Sequence, residues 1–187
     1  EKRGCENCGG KALEVLWDYE HEAKTRNYVF KFDVNNVICK DCGFVFLSPV
    51  HSPESLSGYY ADSYNLFYKK TPGYDMGKRL ELISSVSKEQ GLFVEIGSNM
   101  QSEFQQKLRE RFEDVVTVEI NDSVDSDHRC ISALPVEAAD LVAHYFVLEH
   151  VPHVKPFLND CARLFKLQGI MIVEVPNISL YPFDPVA

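Results

Sequence analysis

Nowhere in this sequence do the roughly 18 consecutive apolar residues of a membrane-spanning helix occur. Nor does a basic stretch lead into an apolar one near its start. The expectation is a chain with neither a membrane span nor a secretory leader. Basic residues are scarce too: 19 Lys and Arg face 28 Asp and Glu, a formal net charge of −9, and no segment concentrates the positive charge. Non-specific nucleic-acid binding works by neutralising phosphates, so nucleic acid is not an expected partner. A small anionic metabolite stays admissible, because a helix start and a few amides can hold one. A complete Gly-x-Gly-x-x-Gly is also missing, which argues against a nicotinamide dinucleotide, whose pyrophosphate needs a close backbone approach.

What is present is enough apolar residue, 45%, for a real core in 187 residues, with 25% charged residues as in an ordinary soluble protein. Four of the six cysteines form two pairs, Cys5-x-x-Cys8 and Cys39-x-x-Cys42, while Cys130 and Cys161 stand alone. A chain this long does not need a disulfide scaffold, and one would be denser. The reading is a reducing, cytoplasmic compartment and a structural Zn2+ site. Four thiolates suit tetrahedral zinc and leave no open position for catalysis. Redox or disulfide chemistry and an iron–sulfur centre are the alternatives at these four residues. A module of residues 1–50 buries little on its own, and a metal bound only by its folded form supplies stability.

Between the two knuckles, Tyr28 to Val34 alternates as strands do, and Gly43 runs into an apolar strand. Residues 51–90 form a linker crowded with aromatics, either packing rings against its neighbours or walling a pocket, and then a helix. That helix spans Met76 to Lys88 with Met76, Leu80, Ile83 and Val86 as its stripe. Residues 91–187 alternate strands with helices. The expected strands are Gly91–Ile96, Val115–Ile120, Asp140–Phe146 and Ile170–Val175. The expected helices are 101–112, carrying Phe104, Leu108 and Phe112, and 156–167, carrying Phe157, Leu158, Cys161, Leu164 and Phe165. This is an α/β fold, a doubly wound, mostly parallel sheet preceded by a small zinc-ribbon-like module. Only 19 residues separate Ile120 from Asp140, and 121–129 show no helical stripe. Either this half is a loop with a short strand around Cys130–Ile131, or the core is truncated or gapped there and after residue 187.

Ligands of such sheets sit beyond the carboxyl ends of the strands, near the switch in strand order. Gly97 marks the sharp turn after the first core strand, followed by Ser98 and Asn99. Glu95 lies near that strand's end, suited to a cationic or amine group. Glu119, 22 residues beyond Gly97, ends the next strand within reach of a ribose diol. S-adenosylmethionine carries no phosphate and a positive sulfonium, so a looser loop and an acidic wall suit it. His144 and Tyr145 sit at a third strand end, placed to face cofactor or substrate. His150 and His153 stand at the rim with a pKa suited to base chemistry, although a pocket-shaping role for His150 is favoured.

These residues resemble class I S-adenosylmethionine-dependent methyltransferases, and in particular the subgroup with an N-terminal zinc-binding domain that includes sugar C-methyltransferases. The resemblance is carried by Cys39-Lys-Asp-Cys-Gly-Phe-Val-Phe46, Val94-Glu-Ile-Gly-Ser-Asn99, Val147-Leu-Glu-His-Val151, Leu164 to Gly169 and Val173-Glu-Val-Pro-Asn177. It implies an S-adenosylmethionine site with Glu95, Gly97, Ser98 and Asn99 around the amino-acid end and Glu119 on the ribose. Cys130 and Ile131 fall where many members face the adenine with an aspartate. The implied substrate is a small molecule, with a nucleotide-linked keto sugar as one candidate. The chain departs from the subgroup at Met100-Gln101 in place of Asp-Gly, at Ile120 in place of proline, and at Cys130. These departures support the alternative of a non-catalytic relative acting as an interaction or cofactor-binding module. The resemblance identifies no catalytic base, because the subgroup's C-terminal substrate domain has no counterpart in the sequence.

Overall fold

The computed structural model describes residues 3–24, 29–48, 75–88, 90–98, 103–122 and 124–177. The expected junction at 48–53 lies almost wholly outside them; the aromatic stretch 56–68, Asn99, Met100, Gln101 and the tail 181–187 lie entirely outside. The chain divides into two compact units, one built on the first 75 residues with 121–123 and 152–159, the other on the remainder.

The first unit is a three-stranded antiparallel sheet in the order β1-β2-β3, comprising β1 (Leu13–Lys24), β2 (Val29–Cys39) and β3 (Val45–Leu47). Strands β1 and β2 pair from Leu13↔Cys39 to Lys24↔Val29, with a bulge between Val15 and Trp17. Sequence reasoning had not singled out β1, because its polar second half shows little apolar alternation.

The second unit opens with helix α1 (Met76–Val86). It continues with β4 (Leu92–Ile96), α2 (Glu103–Arg109), β5 (Asp114–Val118), β6 (Ala139–Tyr145) and β7 (Phe165–Glu174), while helix α3 (Val154–Ala162) has residues 154–159 in the first unit and 160–162 in the second. Its four strands are parallel in the order β5-β4-β6-β7. The chain leaves β4 towards β5 on one side and returns to β6 on the other, so the switch point lies between β4 and β6.

One face of this sheet carries a continuous core. Phe93, Leu141, Ala143, Tyr145 and Ile172 lie under Leu80 and Ile83 of α1 and Phe104 and Leu108 of α2. Phe93 also meets the Phe112 ring at 5.0 Å. Burying each such large side chain contributes roughly 1.5–3 kcal/mol. At the amino ends of the strands the Asp140 carboxylate accepts the Leu92 N–H and the Lys166 ammonium, both at 2.8 Å. This cross-link fixes β4 against β6 before either reaches its functional end. No helix among the described residues is long and apolar enough to cross a membrane.

Four sequence expectations are corrected. Val86 is exposed, and Arg79 takes a buried place on the α1 stripe with Leu80 and Ile83. Helix α2 stops at Arg109, so Phe112 is buried from a turn rather than from the helix. Helix α3 ends at Ala162, not at 167, because the Arg163 and Leu164 carbonyls accept the N–H groups of Glu137, Ala138 and Ala139. Those bonds draw Phe165 into β7 beside Ala139, and Gln168 at φ 72° with Gly169 absorbs the resulting bulge. Finally, the short pairing expected around Cys130–Ile131 falls at His128, which forms a parallel bridge to Val118. The Asp127 carboxylate holds the loop there, accepting from the Thr117 N–H at 2.8 Å and hydroxyl at 2.7 Å. Ile131–Ala133 is a single 3-10 turn.

Candidate functional site

The first unit gathers its four thiols. The Sγ atoms of Cys5, Cys8, Cys39 and Cys42 all lie within 4.8 Å of one another. Two of the separations, Cys5–Cys42 and Cys8–Cys39, are 3.6 Å. A tetrahedral Zn–S length of about 2.3 Å implies thiolate separations of roughly 3.8 Å, so the donor set fits that ion. The two knuckles share one backbone design. In each, the glycine N–H returns to the first cysteine's carbonyl, Gly9 to Cys5 at 2.7 Å and Gly43 to Cys39 at 2.8 Å. Gly9 and Gly43 adopt φ 77° and 76°, a left-handed conformation that glycine reaches without steric cost. The Gly10 N–H, 3.4 Å from Cys8 Sγ, supplies the donor that a thiolate requires. Arg3 braces the module, donating to the Leu47 carbonyl at 2.9 Å and lying over the Phe46 ring.

In the second unit the side chains converge at the carboxyl ends of β4 and β6. Glu95 is buried, one residue before the end of β4. Its carboxylate accepts from the Ser98 hydroxyl at 3.0 Å and from the Gln105 amide of α2. Ser98 is buried too, whereas Gly97 is exposed. Gly97 turns the chain at φ 77°, donates to the Val118 carbonyl at 2.8 Å, and packs so closely on Val147 that a Cβ there would lie 2.3 Å from Val147 Cγ2. The loops after β4 and β6 therefore meet at the switch point.

Tyr145 occupies the next position on this face. Neighbouring strand residues point to opposite faces, and the register pairs Glu95 with Ala143 and Tyr145 with Glu174. Glu95, Tyr145 and Glu174 thus share a face, and His144 points through the other. His144 is fully buried, which lowers its pKa and favours the neutral imidazole. Glu119 follows the end of β5 and is half-buried, its N–H donating to the His128 carbonyl at 3.0 Å. Ile131 is partly buried and accepts from Arg163 through its carbonyl. Cys130 is exposed, and its thiol accepts the Ser132 hydroxyl at 3.1 Å. That bond is the main cause of its lowered pKa, helped by backbone N–H groups and by Arg163. His150 is exposed at the end of the 3-10 turn Leu148–His150.

Burial pushes Glu95 from its ordinary 4.5 up to about 7, against the opposing Ser98 hydrogen bond and the charge of Arg79. A carboxyl with a raised folded-state pKa contributes stability that is complete below the unfolded value. That contribution is lost as pH climbs through the folded one, from 4.5 to about 7. Ligand-free protein should therefore lose up to about 3 kcal/mol from this group between pH 4.5 and neutrality. Glu95→Gln should flatten that dependence in urea denaturation. A wild-type slope equal to the variant's would contradict the buried, near-neutral carboxyl.

Three residues of this constellation were not read from the sequence: Gln105, Arg79 and Glu174. Arg79 carried a signal, since its spacing from Met76 and Ile83 places it on the apolar stripe of α1. Gln105 and Glu174 acquire their roles only through the packing of α2 and the register of β7.

A search among curated proteins returns no match. Over residues 80–173, just over half its length, the chain matches the sequence model of a methyltransferase domain, and it belongs to that family, whose members use S-adenosylmethionine.

Proposed function

We propose that the second unit binds S-adenosylmethionine with Glu95, Gly97, Ser98 and Asn99 around the amino-acid end, Glu119 on the ribose, and Cys130 and Ile131 beside the adenine. The carrying observation is the pair of acidic residues at the ends of adjacent parallel strands. Glu95 on β4 and Glu119 after β5 flank the Gly97 turn at the switch in strand order. Glu95 lies among fixed donors, so an incoming ammonium meets a carboxylate already oriented by Ser98 and Gln105. Glu119 offers two acceptor oxygens to a diol. Cys130 stands where many relatives carry a carboxylate, and its lowered pKa gives the thiol some of the same acceptor character. Tyr145 lines the amino-acid end, and His144 supports the strand from the opposite face.

The cofactor supplies an electrophilic methyl group; the protein's part is to align a nucleophile behind it and exclude water. The proposed acceptor is a small molecule. A nucleotide-linked keto sugar methylated at a carbon beside its carbonyl is the specific form suggested by the resemblance to zinc-containing sugar C-methyltransferases. The four-cysteine cluster is proposed as structural zinc.

Isothermal calorimetry with S-adenosylmethionine tests the assignment, with micromolar binding expected and no heat at millimolar ligand contradicting it. Glu119→Ala should weaken that binding by roughly 1–3 kcal/mol through loss of charged hydrogen bonds. Unchanged affinity would remove Glu119 from the site. A second reading, a binding module without turnover, is favoured by Cys130 in place of the carboxylate. It predicts cofactor binding with no methyl transfer to any keto-sugar nucleotide.

A further inference from the structure

Arg79 is the unexpected buried charge of the second unit. It projects from α1 onto the face that carries Glu95 and is only 8% exposed. Its Nε donates to Glu174 Oε2 at 2.6 Å, and its guanidinium carbon lies 3.9 Å from the centroid of the Tyr145 ring. Phe146, exposed and held at φ 55° immediately after β6, borders the same guanidinium at 5.7 Å. Tyr145 also packs edge to face with Phe104, the ring centroids 5.7 Å apart. Among the described residues its buried hydroxyl has no hydrogen-bond partner.

An ion pair withdrawn from water gains little stability over a well-packed apolar pair, because desolvation offsets most of the attraction. A left-handed non-glycine residue costs a further 1–2 kcal/mol or so. Strain and buried charge at one strand end therefore call for a role other than stability.

We infer that Arg79, tethered by Glu174 and laid on the Tyr145 ring, is a positioning residue that supplies the counter-charge for the buried Glu95 carboxylate and aims the free phenol into the same site. The inference rests on the cofactor reading above. The polar side chains described around Glu95 divide the labour. Ser98 and Gln105 orient the carboxylate by hydrogen bonds, Arg79 supplies the positive field, and Glu174 holds Arg79 while facing Tyr145 rather than Glu95. The charge of Arg79 acts against the desolvation of Glu95, and Glu95 and Glu174 in turn disfavour ionisation of the Tyr145 phenol, whose pKa is raised chiefly by burial. The phenol therefore stays a neutral hydrogen-bond donor, suited to a carboxylate or carbonyl oxygen of the ligand.

The test separates this inference from the cofactor assignment by reading Glu95 without ligand. Carbon-13 carboxyl NMR of Glu-labelled protein, with the Glu95 signal identified by its loss in Glu95→Gln, gives the ionisation midpoint directly. Arg79→Met should raise that midpoint by about one pH unit. Arg79→Lys, which keeps the charge, should restore it, and Glu174→Gln, which loosens the tether but not the charge, should not raise it. At pH 6, below both midpoints, S-adenosylmethionine binding to Arg79→Met should then be about tenfold weaker than wild type, as the ionised fraction dictates. A midpoint unmoved in Arg79→Met overturns the inference whatever the cofactor does. A midpoint moved in Arg79→Met, together with a wild-type chain that binds no S-adenosylmethionine, overturns the cofactor assignment instead.

Discussion

Removing metal from this protein is expected to unfold its first unit, and the sole tryptophan reports the event. Trp17 lies in β1, opposite Asn36 of β2, so its emission follows the three-stranded sheet rather than the methyltransferase core. Among the described residues of the first unit, Cys5, Val37 and Cys39 are the buried apolar positions, and two of the three are thiols of the cluster. A module of this size cannot withdraw much area from water, so three strands alone do not offset their own conformational entropy. Zinc bound to four thiolates contributes an apparent 10–16 kcal/mol or so in comparable small modules, far more than the sheet needs. Chelation with a strong zinc ligand should red-shift Trp17 emission to its unfolded value and make four thiols reactive, and Cys39→Ser should give the same emission, with the three remaining cluster thiols reactive, without chelator. Re-addition of zinc should reverse the first change but not the second. Emission unchanged in a sample shown to be metal-free would overturn the structural-zinc assignment.

How far the sequence revealed this protein varies with the range of the forces involved. The two cysteine pairs were legible because ligand spacing is local: each knuckle closes within six residues, through Cys5 N–H to the Gly10 carbonyl and Cys39 N–H to the Phe44 carbonyl. The strands β4 and β6 were legible because burial on both faces favours continuous apolar runs, as in Leu92–Val94 and Leu141–Ala143. The end of α3 was not, since Phe165 fits a helical stripe as well as a strand start. What decides between them is a set of hydrogen bonds from Glu137, Ala138 and Ala139, some 25 residues earlier in the chain. The same limit applies to the site. Glu95 and Gly97 were readable from a strand–turn pattern, whereas the Gln105 amide on Glu95 and the Arg79–Glu174 pair depend on how helices lie on the sheet. His144 shows a third case. Its position at a strand end was readable, but the face it occupies is set by register, and register placed it opposite Glu95 and Tyr145.

The largest single-residue effect in the core is expected at Gly97. Alanine there meets two separate penalties. The backbone sits at φ 77°, where a Cβ crowds the following carbonyl at a cost of about 1–2 kcal/mol. The new Cβ would also lie 2.3 Å from Val147 Cγ2, and no other heavy atom approaches closer than 3.7 Å. Val147 is β-branched and stiff, so it cannot yield by a small rotation and must leave its rotamer, adding roughly 0.5–1.5 kcal/mol. Gly97→Ala should therefore destabilise the second unit by about 1.5–3.5 kcal/mol in urea denaturation, the sum of the two terms. In a Val147→Ala background the steric part disappears and the cost should fall to the dihedral term alone, about 1–2 kcal/mol. Equal costs in both backgrounds would show that the Gly97–Val147 contact is not what constrains the turn. Cofactor affinity should follow the same cycle. The Gly97 turn brings the loops after β4 and β6 together beside Glu95, so the methyl group added by Gly97→Ala displaces Val147 into the crevice where the amino-acid end is proposed to bind. The single variant should then bind S-adenosylmethionine at least tenfold more weakly, and the double variant should recover part of that loss because the displaced side chain is gone.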